Sequence, residues 1–342
     1  MSDLNSIFEE DASSVISRTD ISYINGKTIL ITGASGLIGS SLVFSIKKYV
    51  DTHPDSEIKL YLVTYRGLPE HLDFCSKTSW ISVLHGNLTD SVFLSSLPMA
   101  DIIFHFACYG QPKKFMSNAD MTLKLNTFSV FYLMDKVKPN GKFLFASSSA
   151  VYTNAPSTPY SEECIGNTNT DHMRACYIEG KKCGETICNA YRQKGVDAKS
   201  IRFSITYGPG TRGDDVRALN TFINSAILDH KIELLDDGSA LKTYLYISDA
   251  IEIIWNVLIY GKETVYNCGG KSLISIAEIA NTVGHYLSIP VILGKGSGGL
   301  GAIQYEILDM SRYDNEFGKS NYVSIADGIA RTIDWNLINL KQ

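Results

Sequence analysis

Residues 28–42 read TILITGASGLIGSSL. The opening TILIT is apolar and β-branched, the composition of a buried strand. Gly33, Gly36 and Gly39 follow at once, and from Gly36 to Tyr49 the apolar residues recur at helical spacing. A glycine triplet can serve packing alone. Between an apolar strand and an amphipathic helix it points to a phosphate cradle. The first glycine permits the tight turn, the second lets backbone N–H groups approach a pyrophosphate, and the third lets helix and strand pack closely. The helix N-terminus adds its partial positive charge to that site.

The same alternation continues outward. Strands are predicted at Leu60–Thr64, Ile81–His85, Ile102–Phe106, Lys142–Ala146 and Ser200–Ser204, with helices over Met121–Val137 and Cys176–Tyr191. Strand–helix alternation implies an α/β fold, a Rossmann-type doubly wound parallel sheet covered on both faces. After Tyr207 the pattern mixes short strands and helices, as in a smaller mixed α/β substrate-binding domain. The division read from the sequence is an N-terminal helical extension over 1–26, a dinucleotide-binding domain over 27–204, and a mainly substrate-binding region over 205–342. Some segments of that last region return to the Rossmann core. The stretch GKGSGGLGA at 294–302 reads as a flexible loop.

Composition narrows the function. The 342 residues are 44% hydrophobic and 20% charged, with 31 basic against 36 acidic side chains. That length builds one large α/β domain or two modest ones. The mild acidity leaves no footprint for nucleic acid. No stretch approaches the roughly 20 apolar residues needed to span a bilayer, and the acidic start MSDLNSIFEEDASS lacks the pattern of a signal peptide. The seven cysteines are scattered without a CxxC pair, which fits reduced thiols in a cytoplasmic protein and no metal site.

A carboxylate at the end of the second strand would hold a ribose 2′-OH and favour NAD. Here that strand ends Thr64-Tyr65-Arg66, so Arg66 either faces a 2′-phosphate or is solvated. NAD is the expected cofactor, with NADP left open. In HGNLTD at 85–90, Asn87 either meets adenine or caps a turn.

A second constellation lies at Tyr177-Ile-Glu-Gly-Lys181. Spacing of four puts phenol and ammonium on one helical face. A phenol of pKa near 10 needs a shift of about three units, or about 4 kcal/mol, to act as a base near neutrality, and a neighbouring ammonium and a positively charged nicotinamide both act in that direction. The spacing alone proves little: Tyr23 and Lys27 flank an Asn25-Gly26 turn, and Tyr109 and Lys113 are interrupted by Pro112. A third element adds weight. KFLFA ends in Ser147, Ser148 and Ser149, hydroxyls at a strand's carboxyl end, where open α/β sheets bind ligands.

Together ITGASGLIG, FASSSAVY, ACYIEGK, ITYGPG and YLYISD, in this order, resemble the extended short-chain dehydrogenase/reductase superfamily and its NAD-dependent nucleotide-sugar epimerases and dehydratases, over roughly residues 27 to 336. HFACYGQPKKF, TLKLNT, RACYIEGKKCGET and DDVRALNTFI resemble the UDP-glucuronate decarboxylase branch. The resemblance implies a catalytic set of Tyr177 as general base, Lys181 as its partner on the nicotinamide ribose, and Ser148, with Ser149 next to it, as the catalytic hydroxyl. It implies cofactor contacts from Gly33, Ser35, Gly36, Leu37, Ile38 and Gly39, and from Arg66, Asn87, Leu88, Ala107, Asn126, Tyr177 and Lys181. Substrate contacts fall to Tyr109, Asn126, Ser149, Arg217 and Lys242, and the partner copy would be a second chain, in a homodimer.

The departures from that branch shape the expected reaction. Ala150 stands where the decarboxylases carry glutamate, and Ser149-Ala150 offers no carboxyl for a dehydratase. A 4-epimerase needs neither group, so transient oxidation at C4 of a nucleotide-diphosphate sugar, ending in epimerisation, is the expected function. The decarboxylase, dehydratase and keto-sugar reductase reactions stay open, as does a non-catalytic dinucleotide sensor. The usual diphosphate arginine is Lys242, and another is missing before Asp309, which leaves Lys242, Arg212 or Arg217 to hold the diphosphate.

Overall fold

The computed structural model describes residues 5–271, 273–296 and 305–339. Six strands, β1 (Thr28–Thr32), β2 (Lys59–Thr64), β3 (Ile81–His85), β4 (Ala100–His105), β5 (Val137–Ser148) and β6 (Asp197–Phe203), form a parallel sheet with the later strand Val265–Cys268. The spatial order is β3-β2-β1-β4-β5-β6, then Val265–Cys268 at the far edge. Sequence and structure agree on this doubly wound parallel sheet.

Both faces of the sheet are covered, and the pleat shows it. On β1, Ile29 and Ile31 join one apolar cluster while Leu30 joins the other. Ile102 and Phe104 oppose Ile103 on β4 in the same way, and Leu144 and Ala146 oppose Phe143 and Phe145 on β5. Side chains alternate along a strand, so near-continuous apolar runs are what two-sided burial requires.

The predicted helix over Met121–Val137 divides into Ala119–Asn126 and Phe128–Met134, broken at Thr127, and Val137 opens β5. The break frees carbonyls, and the Ser129 hydroxyl donates to Lys124 O at 3.2 Å and to Leu88 O at 2.6 Å. The first helix, α1 (Ser6–Arg18), buries Ile7, Phe8, Ala12 and Val15. Phe8 stacks on Phe44 at 4.5 Å and on His71 at 4.9 Å. Asp11 accepts from Tyr246 at 2.7 Å and from Arg331 of the final helix (Ile325–Asn339) at 2.9 Å. This segment is thus part of the main core. In the loop expected at 294–302, residues 297–302 lie outside the described residues.

A smaller sheet stands over the carboxyl ends of the large one. Its central strand, Leu241–Tyr246, pairs antiparallel with Leu273–Ser275 and parallel with Ile205–Tyr207 and Tyr305–Glu306. Among the described residues no helix is long and apolar enough to cross a membrane.

Candidate active site

The glycine turn is built as its sequence implies. Gly33 has φ +72°, and a Cβ there would lie 2.7 Å from Ala107 N, so the turn presses on the chain leaving β4. A Cβ on Gly39 would lie 2.4 Å from Gly33 O, where the helix α2 (Leu37–Thr52) meets β1. Gly36, the N-cap of α2, differs: a Cβ there meets only Gly33 O, at 3.4 Å, and otherwise faces open space. His105 locks β4 to β1. Its Nε2 lies 2.8 Å from Leu125 O, which can only accept, so Nδ1 takes the Thr32 hydroxyl at 2.7 Å. Burial holds this imidazole neutral, with its pKa down to about 4.

Two cavities flank the turn. One of about 310 Å³ is bordered by Ser35, Arg66, Asn87, Leu88, Ala107 and Tyr109. The other, of about 460 Å³, is bordered by Leu37, Ile38, Gly39, Ser148, Ser149, Tyr177 and Lys181, and both touch Gly33 and Gly36. The two meet at the glycine turn before a helix N-terminus, with open space at Gly36 for a pyrophosphate. These residues fit the cofactor that the motif implies. Asn87 does cap a turn, its Oδ1 accepting from Thr89 N at 3.0 Å, while the residue still borders the cavity. Arg66 is exposed at the end of β2 on that same cavity.

Two segments converge on the larger cavity. Tyr177 and Lys181 come from the helix Ala175–Arg192, whose next turn carries Glu185. The ring of Tyr177 stacks on Phe115 at 4.5 Å. Lys181 is buried; its Nζ donates to Ala146 O at 2.5 Å and lies 5.6 Å from the centre of the Tyr177 ring. The serines divide by the pleat of β5. Ser147 donates to buried Glu185 at 2.5 Å, so it belongs to the scaffold. Ser148 faces the cavity, and its hydroxyl favours ionisation of the Tyr177 phenol. Ser149 donates to Glu306.

Three expectations need correction. The Tyr177 phenol is pushed above its usual pKa: burial dominates, outweighing the Ser148 hydroxyl and the charge of Arg217. Lys181, itself lowered by burial, does not reverse this. Asn126 borders neither cavity. It is fully buried behind Cys108, where Nδ2 donates to Thr122 O at 2.9 Å and to Cys108 Sγ at 3.2 Å. Gly180 of the tyrosine helix closes over it: a Cβ there would come 3.3 Å from Asn126 Cβ. Tyr109 lies on the smaller, cofactor-side cavity and does not border the larger one.

The cations expected at the substrate are paired. Arg217 is held by Asp215 through Nε and Nη2, at 2.9 and 2.6 Å from Oδ2. Lys242 meets Glu306 at 3.4 Å, and Arg212 meets Asp214 at 3.1 Å. Arg217 and Lys242 border a third cavity of about 230 Å³ with Tyr207, Asn220 and Tyr244, and Ile205, Thr206, Asp215 and Arg217 line both it and the larger one. Glu306 is the residue that sequence reasoning missed. It stands opposite Lys242 in the register of the small sheet and borders the 460 Å³ cavity.

Comparison with known proteins agrees with this architecture. UDP-glucuronic acid decarboxylase 1 of Xenopus tropicalis is 30% identical over 260 residues, 75% of this chain and 59% of that protein. UDP-glucuronic acid decarboxylase 6 of Arabidopsis thaliana is 28% identical over 257 residues, covering 75% of this chain and 73% of the relative. The chain therefore matches well under two thirds of the frog protein's length. Among solved structures, the UDP-glucose 4-epimerase of Thermotoga maritima with UDP-glucose superposes with a TM-score of 0.78 at 19% identity, covering 92% of this chain and 99% of that one. DesIV, a dTDP-glucose 4,6-dehydratase of Streptomyces venezuelae with NAD bound, gives 0.78 at 23%, covering 92% and 98%. At these identities the structures establish the shared fold. The model of the NAD-dependent epimerase/dehydratase family matches residues 29–269, well over half of the sequence, and the chain belongs to that family.

Proposed function

We propose that this chain is an NAD-dependent enzyme that transiently oxidises the C4 hydroxyl of a nucleotide-linked sugar. The observation that carries the reading is the convergence of Tyr177, Lys181 and Ser148 from two segments onto a cavity walled by the glycine turn. A dinucleotide sensor has no physical need of that trio. The cofactor, when bound, takes up and returns the hydrogen of C4 and brings a positive charge next to the phenol.

The protein's part is placement and proton transfer. Gly33, Gly36 and Gly39 carry the pyrophosphate, with Ser35, Arg66, Asn87, Leu88 and Ala107 along the adenosine half. Ser148 donates to the sugar oxygen, and Tyr177 takes its proton. Burial is the largest influence holding the phenol protonated, and the positive charge that the cofactor brings acts in the opposite direction. Lys181 fixes the ribose and the phenol's surroundings. Arg217 and Lys242 reach the nucleotide end of the substrate while paired to Asp215 and Glu306.

Epimerisation at C4 is the fate that the sequence favours, on the ground that Ser149-Ala150 carries no carboxyl. Glu306, bonded to Ser149, supplies a carboxyl from another strand, which supports a second reading in which a proton beside the ketone is also moved, as in elimination or decarboxylation. Exposed Leu123 and Phe131, on the helices beside Ala175–Arg192, suit a homodimer interface, and seven free thiols suit a cytoplasmic setting.

The test is Tyr177→Phe, with products from UDP-, dTDP-, GDP- and CDP-sugars followed by NMR. Removing a general base costs about 10²–10⁴ in rate. Turnover at the parent rate on the best substrate overturns the assignment.

A further inference from the structure

Two carboxylates border the 460 Å³ cavity. Asp215 is held by Arg217 on both oxygens, and its Oδ1 also takes Arg217 N, so its lone pairs are committed. Glu306 is held more lightly. One oxygen accepts from Ser149, and the other lies 3.4 Å from Lys242 Nζ. A carboxylate has about four acceptor sites, so Glu306 keeps capacity toward the cavity. It is mostly withdrawn from solvent, at 19% side-chain exposure. Its charge is felt at Tyr177, Tyr160 and Tyr244, which places it within electrostatic reach of the reacting centre.

We propose that Glu306 is a second proton-transfer group of this site, acting on the carbon next to the oxidised one. The proposal rests on the reading that C4 becomes a ketone in this cavity. A C–H bond adjacent to a ketone is the most acidic carbon position of the sugar. Ser148 holds the C4 oxygen, and the adjacent Ser149 holds Glu306, so the carboxylate stands one residue's reach from the atom bonded to C4. In the step, the C5–H bond breaks and the proton passes to Glu306. Its electron pair moves into the C4 carbonyl, leaving an enolate oxygen that the Ser148 and Tyr177 hydroxyls stabilise. Return of a proton from Glu306 to C5 restores the ketone. No oxidant or reductant is consumed. The substrate class is a nucleotide-linked pyranose that carries hydrogen at C5.

Lys242 and Ser149 both donate to the side chain and fix its position at the cavity wall. The strand that carries it reaches the site by pairing Glu306 with Lys242, 157 residues away from Ser149 in the chain. No carboxyl near Ser148 in sequence could reveal it.

The experiment supplies the ketone ready-made. Purified protein is incubated in D₂O with UDP-4-keto-6-deoxyglucose, and separately with its dTDP counterpart, and deuterium at C5 is read by NMR. The parent chain is expected to exchange C5 hydrogen above the enzyme-free rate with at least one probe. Glu306→Gln is expected to lower that rate at least about 100-fold while binding the probe as the parent does, because the amide oxygen still accepts from Ser149. Exchange by Glu306→Gln at the parent rate overturns the assignment, and so does a parent chain that exchanges neither probe. Because this assay bypasses the oxidation, failure of the Tyr177 reading has a different signature: Tyr177→Phe turns over the hydroxyl substrate normally while Glu306-dependent exchange persists.

Discussion

Replacing Gly36 with alanine separates the phosphate cradle from the fold. Gly36 has φ −88° and ψ 169°, a region open to any residue. The new methyl meets only Gly33 O, at 3.4 Å. Loss of freedom in the unfolded chain stabilises the variant by about 0.4–1 kcal/mol, while the poorer N-cap that alanine makes costs a comparable amount, so its melting temperature stays close to the parent's. The same change at Gly39 drives a methyl to 2.4 Å from Gly33 O and 2.7 Å from Ala34 Cα, both main-chain atoms. Overpacking of that kind costs about 1–3 kcal/mol. Binding ranks the two differently. At Gly36 the methyl occupies the open side of the helix N-terminus and holds a pyrophosphate off the first N–H groups. One lost charge-assisted hydrogen bond is worth about 1.5–3 kcal/mol, a roughly tenfold to hundredfold loss of affinity. Thermal melts of the cofactor-stripped protein, followed by calorimetric titration with NAD, read both effects. If Gly36→Ala stays folded and binds NAD as tightly as the parent, the pyrophosphate does not cross this turn and the cofactor assignment fails.

Two further predictions concern stability. His71, stacked on Phe8 and 3.1 Å from the Ser40 hydroxyl, is held neutral by burial with its pKa lowered to about 4, as His105 is. A depressed folded-state value means that this stability is complete above the unfolded value of about 6.5 and is lost as pH falls through about 4. Each imidazole contributes up to about 3 kcal/mol over that window. Urea midpoints should fall between these pH values, and His71→Phe should flatten the slope; an unchanged slope would show that His71 is not responsible. Arg202→Met strands buried Glu185, now paired through Nη2 at 2.7 Å and Nε at 2.9 Å. The expected loss is about 3–5 kcal/mol, largely recovered when Glu185→Met is added. A single-variant loss below about 1 kcal/mol would contradict the pairing.

Much of the architecture was legible because its signals are local. The boundaries of β1 and β3 follow from apolar runs ended by turn residues, and Gly33 and Gly39 sit where their sequence context requires close backbone approach. The spacing of Tyr177 and Lys181 was not decisive alone. Tyr132 and Lys136 share it, yet Lys136 Nζ reaches Ser95 O. What singled out the former pair was their company. Glu306 stayed hidden because a two-residue strand carries no periodicity and its partner is remote. Asn126 misled because a motif position does not reveal what packs above it, here Gly180. The direction of the Tyr177 shift depends on burial, which four-residue spacing cannot report. The amphipathic stripe of α1 reads the same whether it lies on a surface or, as found, against Phe44 and Trp335.

Tyr177, Lys181 and Glu185 form a single row, each one turn beyond the last. A smooth cylinder lying on a sheet is free to roll about its own axis, and nothing in apolar packing alone prevents that. Glu185 works as a key in a slot: Ser147 of β5 and Arg202 of β6 grip it from below. The angular setting of the phenol is therefore fixed two turns away, by contacts beneath the helix. A single residue inserted between Tyr177 and Glu185 would swing the ring by about 100°, out of the cavity, with the fold around it intact.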